Sequence, residues 1–148
     1  MSDPIKPTEF IPTAINMIQA QLGIIDASRA RNTQTATWAV GAIIAFSVSK
    51  QTLPTVIFMA TTGTVVTLAL WHQDYLLHRF WHGWFGMGER IRQFLSGELE
   101  EKDLRLLEYL DEDANQAKIF SRTTSAIFLV LLVGSLALIP YRLFVGVP

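Results

Sequence analysis

The chain contains no cysteine, which excludes disulfides, thiolate metal sites and cysteine nucleophiles and leaves the redox compartment open. Charge is scarce as well. Only 17% of the residues are charged and 50% are hydrophobic, whereas soluble domains carry about 25% charged residues. The deficit points towards a membrane. Basic excess is also missing: twelve Lys plus Arg face thirteen Asp plus Glu, for a net charge of −1. A dedicated nucleic-acid binder needs a basic surface, so nucleic acid is not expected as a partner. No secretory signal is expected, because the first thirty residues hold Asp3, Glu9 and Asp26 and no basic stretch leading into an apolar core. Internal repeats and low-complexity linkers are absent too. At 148 residues the length suits one small domain.

What is present is organised by the gaps between charges. No residue is charged between Arg31 and Lys50, between Lys50 and His72, or between Arg122 and Arg142, and the gaps hold 18, 21 and 19 residues. A membrane-spanning helix needs about 20 residues, within a range of roughly 17–25. The competing reading is a soluble bundle with three buried helices. Three such gaps in so short a chain favour an all-α integral membrane protein with three transmembrane helices, the lipid bilayer being its first partner. The first span has the shortest apolar centre, since Asn32 to Thr37 are polar. Only Lys50 to Leu53 separate it from the second, and Pro54 suits the first turn of a helix, so the two form a tight antiparallel hairpin. Trp38 and Trp71 mark its ends, as expected of aromatic anchors at an interface.

Four segments follow: an N-terminal tail and amphipathic helix over 1–35, a transmembrane hairpin over 36–71, interfacial and cytoplasmic helices over 72–118, and a third transmembrane helix with a short tail over 119–148. Ten Lys and Arg lie in the N-terminal and central segments, against Lys50 and Arg142 on the other side. The positive-inside rule then places the N-terminus and centre in the cytoplasm and the C-terminus opposite. Phe10, Ile11, Ile15, Met17, Ile18, Leu22, Ile24 and Ile25 are spaced as one helical face, serving either a membrane surface or a partner. Residues 72–95 are rich in aromatics and suit the headgroup region, with Gly83, Gly86 and Gly88 expected to loosen or break the helix. Residues 98–118 hold eight acids, three bases and the leucines Leu99, Leu106, Leu107 and Leu110, which predicts an amphipathic cytoplasmic helix.

Candidate chemistry is thin. Asp74, His78 and His82 fall at i, i+4 and i+8 on one helix face, a spacing at which carboxylate and imidazole can meet one metal ion. The plainer reading is the polar face of an interfacial helix, and no metal or cofactor is expected. His72, His78 and His82 remain the candidate axial ligands if haem or another pigment binds. Residues 111–122 begin like a calcium loop but lack its turn glycine and final glutamate. The glycines after His82 follow no strand and form no phosphate cradle. No activated nucleophile or acid–base pair is evident, so no enzymatic activity is expected. Span one carries Gly41, Ala45 and Ser49 four apart, and span two carries Ala60 with Thr64 and Gly63 with Thr67. Small residues at that interval let helices approach closely in lipid. The hydroxyls of Thr61, Thr62, Thr64 and Thr67 either line a polar path or bond back to their own helix. No charge lies within a span, which argues against pumps and voltage sensors.

Two resemblances add expectations. Trp71, Asp74, Arg79 and Trp84, behind a close pair of spans and an amphipathic helix, resemble the order of parts in SLATT-type small bacterial membrane effectors over roughly residues 14–92. That likeness implies a membrane effector that oligomerises and perturbs the bilayer, with no catalytic residues. The chain departs from it by adding a third span. His82 to Met87, HGWFGM, is similar to a stretch of the succinate dehydrogenase membrane anchor subunit, and that likeness implies haem at His82. Two functions are therefore expected. One is a homo-oligomeric effector or channel-like assembly. The other is a structural or accessory subunit of a larger, energy-converting membrane complex.

Overall fold

The computed structural model describes residues 7–48, 52–100 and 122–145. Three helices account for nearly all of them: α1 (Pro7–Val48), α2 (Leu53–Leu95) and α3 (Arg122–Phe144). The protein is all-α across the described residues. At 1.5 Å per residue, α1 and α2 are each about 63–65 Å long, roughly twice the hydrocarbon thickness of a bilayer.

Local chemistry explains the ends. Pro7 opens α1, where its missing N–H is no loss. α1 then runs without a break through Asn32–Thr37, where the Thr33 and Thr37 hydroxyls are satisfied within the helix by donating to the carbonyls of Arg29 and Thr33 at 3.1 and 2.9 Å. Thr52 caps α2: its carbonyl accepts the Val56 N–H at 3.0 Å, and its hydroxyl meets that of Thr55 at 2.8 Å. Pro54 sits in the first turn, where no N–H is required. At the far end Gly97 takes φ +80°. The Gly97 and Glu98 amides donate back to the carbonyls of Phe94 and Gln93 at 3.1 and 2.9 Å, a Schellman closure that favours glycine.

Two expectations are corrected here. Gly83, Gly86 and Gly88 do not break the helix, since α2 continues through all three to Leu95. The cost of about 1 kcal/mol for each helical glycine is offset by the packing of their neighbours, since Met87 and Ile91 are buried against Ile11, Ala14 and Ile18 of α1. The number of candidate spans is two rather than three: α2 and α3 are long and apolar enough to cross a membrane. α1 falls short because polar residues follow Arg31 up to Thr37, and only Trp38–Val48 is continuously weighted to apolar residues. The acidic helix expected over 98–118 lies almost wholly outside the described residues, and Glu98 to Glu100 are irregular.

The chain divides into two compact units. In the first, α1 up to Ser28 packs against α2 from Leu76. Its core joins Ile11, Ala14 and Ile18 to Met87 and Ile91, with Ile15, Leu22, Trp84 and Phe94 around them. The steps of three and four residues put these α1 side chains on one stripe. The expected amphipathic face thus splits: Ile11, Ile18 and Ile25 are buried, while Phe10, Met17 and Ile24 stay exposed.

In the second unit, α1 from Arg29 and α2 up to Tyr75 pack with α3. Val56, Ala60 and Leu138 form its core, against Ile43, Ile44 and Ile139. Gly63 brings α2 very close to α3, since a Cβ there would lie 2.8 Å from Ser135 Oγ. Phe128, Val40, Thr67 and Ser135 are completely enclosed.

Candidate functional site

The most constrained polar cluster lies in the second unit, where α1, α2 and α3 each contribute one side chain. Arg29 Nε donates to Asp74 Oδ1 at 3.0 Å and Arg29 Nη2 to Oδ2 at 3.4 Å. The same Nη2 reaches Thr124 Oγ1 at 3.3 Å. The Asp74 side chain is 6% exposed and that of Arg29 15%. A two-pronged guanidinium–carboxylate contact fixes both planes, and the third contact ties α3 to the pair. Trp71, three residues before Asp74, stacks on Phe128 of α3 with ring centroids 6.3 Å apart and planes 6° from parallel. Each helix changes character at this level. α2 meets its first ionisable residues just beyond Trp71, α3 carries no charge between Arg122 and Arg142 and turns apolar after Ser125, and α1 carries Arg29 and Arg31 before its own apolar end.

Both charges are satisfied by each other, so the cluster offers cohesion rather than a reacting group. With the Asp74 carboxylate committed to Arg29, the trio Asp74, His78 and His82 is not assembled as a metal site. Among the described residues no group of three potential ligands can hold an ion. His78 and His82 do meet, edge to face, with centroids 4.6 Å apart. His82 also packs on Trp81, which stacks on Phe85. His72 lines a cleft of about 250 Å³ with Leu68, Trp71 and Tyr75. The ring neighbours of His82 are side chains of its own helix.

The small residues divide by helix. Ala60, Gly63 and Thr67 of α2 face inward and are buried, Gly63 against Ser135 and Ile43. Gly41 and Ala45 of α1 are exposed, and nothing lies within 4 Å of a Cβ at Gly41. Ser49 is outside the described residues. The hydroxyls of Thr61, Thr62 and Thr67 donate to the carbonyls four residues back at 2.9, 2.9 and 2.7 Å. Ser47 and Ser135 do the same. Thr64 differs: its Oγ1 is buried without a hydrogen-bond partner, as is Asn32 Nδ2.

Outside the apolar runs, Glu89 and Arg92 form an exposed ion pair on α2. The hydrogen bond from Arg92 holds the Glu89 carboxyl below the usual carboxylate range. The same bond raises Arg92 further.

Neither Arg29 nor Asp74 stood out in sequence as half of a pair. The available signal was symmetry, because Arg29 lies 22 residues before Gln51 and Asp74 22 residues after Thr52. In an antiparallel hairpin turning at those residues the two are level.

Comparison with known protein families, with curated proteins and with solved structures finds no match.

Proposed function

We propose that this is a multi-pass membrane protein that self-associates as a membrane effector or channel-like assembly, without enzymatic activity. The observation that carries the membrane part is the common level of Arg29, Asp74 and Thr124. All three helices turn polar there, and the apolar runs of α2 and α3 start from it. Beyond that level large apolar side chains also face outward: Phe58, Val65, Val130 and Val133 are 71, 60, 69 and 58% exposed, as suits contact with lipid. The apolar end of α1 accompanies α2 into the same layer, since Ser47 touches Met59 and Ile43 lies beside Gly63. The bias of Lys and Arg orients the assembly with its N-terminus and central segment in the cytoplasm and its C-terminus opposite.

Self-association is supported by the outward placement of Gly41 and Ala45, which lets a second helix approach α1 closely. A conducting path is not lined from within one copy, because most candidate hydroxyls are bonded to their own helix carbonyls. A path would have to form between copies.

A second reading, an accessory subunit of a larger membrane complex, is favoured by one observation. Phe80 and Phe85 of α2 are 61 and 50% exposed well past the last apolar run.

Native mass spectrometry of protein extracted from its own membranes tests both. Masses at multiples of 16.6 kDa are expected. A complex with unequal partners would replace the first reading by the second, and a solitary monomer would overturn self-association.

A further inference from the structure

The part of α1 in the first unit presents a second stripe besides the one buried on α2. Phe10, Met17 and Ile24 are spaced seven apart and are 52, 45 and 59% exposed. Seven residues are close to two helical turns, so the three side chains fall in a nearly straight line. Gly23 beside them has nothing within 4 Å of a built Cβ. Charge is the second observation. Between Glu9 and Asp26 α1 carries no charged residue, although a solvent-facing helix ordinarily keeps charged residues opposite its core face.

We propose that this stripe is a self-association seam, occupied by the same stripe of a second copy. The inference rests on the self-associating membrane reading and names the surface that performs it. Three features select the occupant. An interfacial helix binding lipid headgroups carries Lys and Arg on its polar face; residues 7–28 contain neither, which disfavours a lipid surface. Copies in one membrane share one orientation, so two α1 helices meet in parallel and each residue faces its own duplicate. Like charges would repel there, and only an uncharged stripe tolerates that register. Finally, apolar residues repeating every seven positions supply one of the two positions per heptad that a parallel helical seam uses. The seam ends where the same spacing reaches Arg31, whose duplicate would repel it.

The absence of cysteine makes the full-length protein in its native membranes a clean background for cross-linking. Met17→Cys and Ile24→Cys should each give an oxidised dimer of twice 16.6 kDa. Asn16→Cys is exposed but lies about 100° round the helix from Met17 and should not. Adding Met17→Glu to the Ile24→Cys variant should abolish its cross-linking. Co-expression with a chain carrying Met17→Lys and Ile24→Cys should restore it, because opposite charges then face each other. Circular dichroism of each variant separates loss of association from loss of fold. Cross-linking equal at positions 16, 17 and 24, or none at 17 and 24 in folded protein, overturns the seam. If native masses still show multiples of one chain, self-association stands and only its surface is reassigned. A monomeric mass removes both.

Discussion

Removing the Asp74 carboxylate is the perturbation that interrogates the fold most directly. Asp74→Ala leaves the Arg29 guanidinium, 15% exposed, with Thr124 as its remaining partner at 3.3 Å. Breaking a buried ion pair from one side costs about 3–5 kcal/mol, because an uncompensated charge is left behind. Arg29→Ala should cost a similar amount through Asp74, which is the more deeply enclosed of the two. The double variant should be far less destabilised than the sum of the singles, with a coupling energy of about 2 kcal/mol or more, inside the range of 0.5–3 kcal/mol known for contacting residues. Arg29→Leu with Asp74→Leu should approach wild-type stability, since an apolar pair of similar size removes the desolvation cost. The assay is thermal or denaturant unfolding in detergent, followed by far-ultraviolet circular dichroism and by tryptophan fluorescence. Trp71 reports on the joint itself, because its ring stacks on Phe128. Additive singles, or single losses below about 1 kcal/mol as for an exposed pair, would refute the reasoning.

Gly63→Ala should destabilise the second unit by about 1–3 kcal/mol through overpacking, because the new Cβ would sit 2.8 Å from Ser135 Oγ; the added change Ser135→Gly should recover part of the loss in the same unfolding assay. Gly97→Ala should lower stability by about 1–2 kcal/mol, the cost of holding a side chain at φ +80°, measured as a fall in melting temperature. Glu89 has its folded pKa below the ordinary value, so its contribution is present above that value and disappears as pH falls through the folded one. Glu89→Gln should therefore flatten only the acid side of the stability–pH profile, and slightly, since the pair is exposed.

How much was readable in advance depends on which physical effect ruled each segment. The apolar runs of α2 and α3 show in the sequence because long charge-free stretches have few other uses. The antiparallel pairing of α1 with α2 shows because only a few residues separate their apolar ends. The glycines near residue 86 misled, because intrinsic propensity weighs each glycine alone while the packing of Met87 and Ile91 on α1 acts between helices. The apolar pattern at the start of α1 misled in a subtler way. Its residues look like one face, yet Ile11, Ile18 and Ile25 are buried while Phe10, Met17 and Ile24 are not. Adjacent positions are 100° apart on a helix, so neighbouring pairs such as Met17 and Ile18 belong to different stripes.

Asp74 shows why local motif reading fails for a hairpin of long helices. Read along α2, it joins His78 and His82 at helical spacing and resembles a ligand set. Read across the hairpin, it is level with Arg29, and the guanidinium has the stronger claim on it. An ion partner matters greatly for a carboxylate enclosed at the edge of an apolar run, because desolvation penalises any unpaired charge. The same logic assigns Gly63 and Gly41 different duties despite similar spacing motifs. Gly63 is level with the α3 residue Ser135 and is used inside one copy, whereas Gly41 meets nothing within 4 Å. A small residue in a membrane helix becomes a candidate for assembly only after the fold of its own chain has declined it. By that criterion α1, and not α2, is the helix through which copies of this protein should meet.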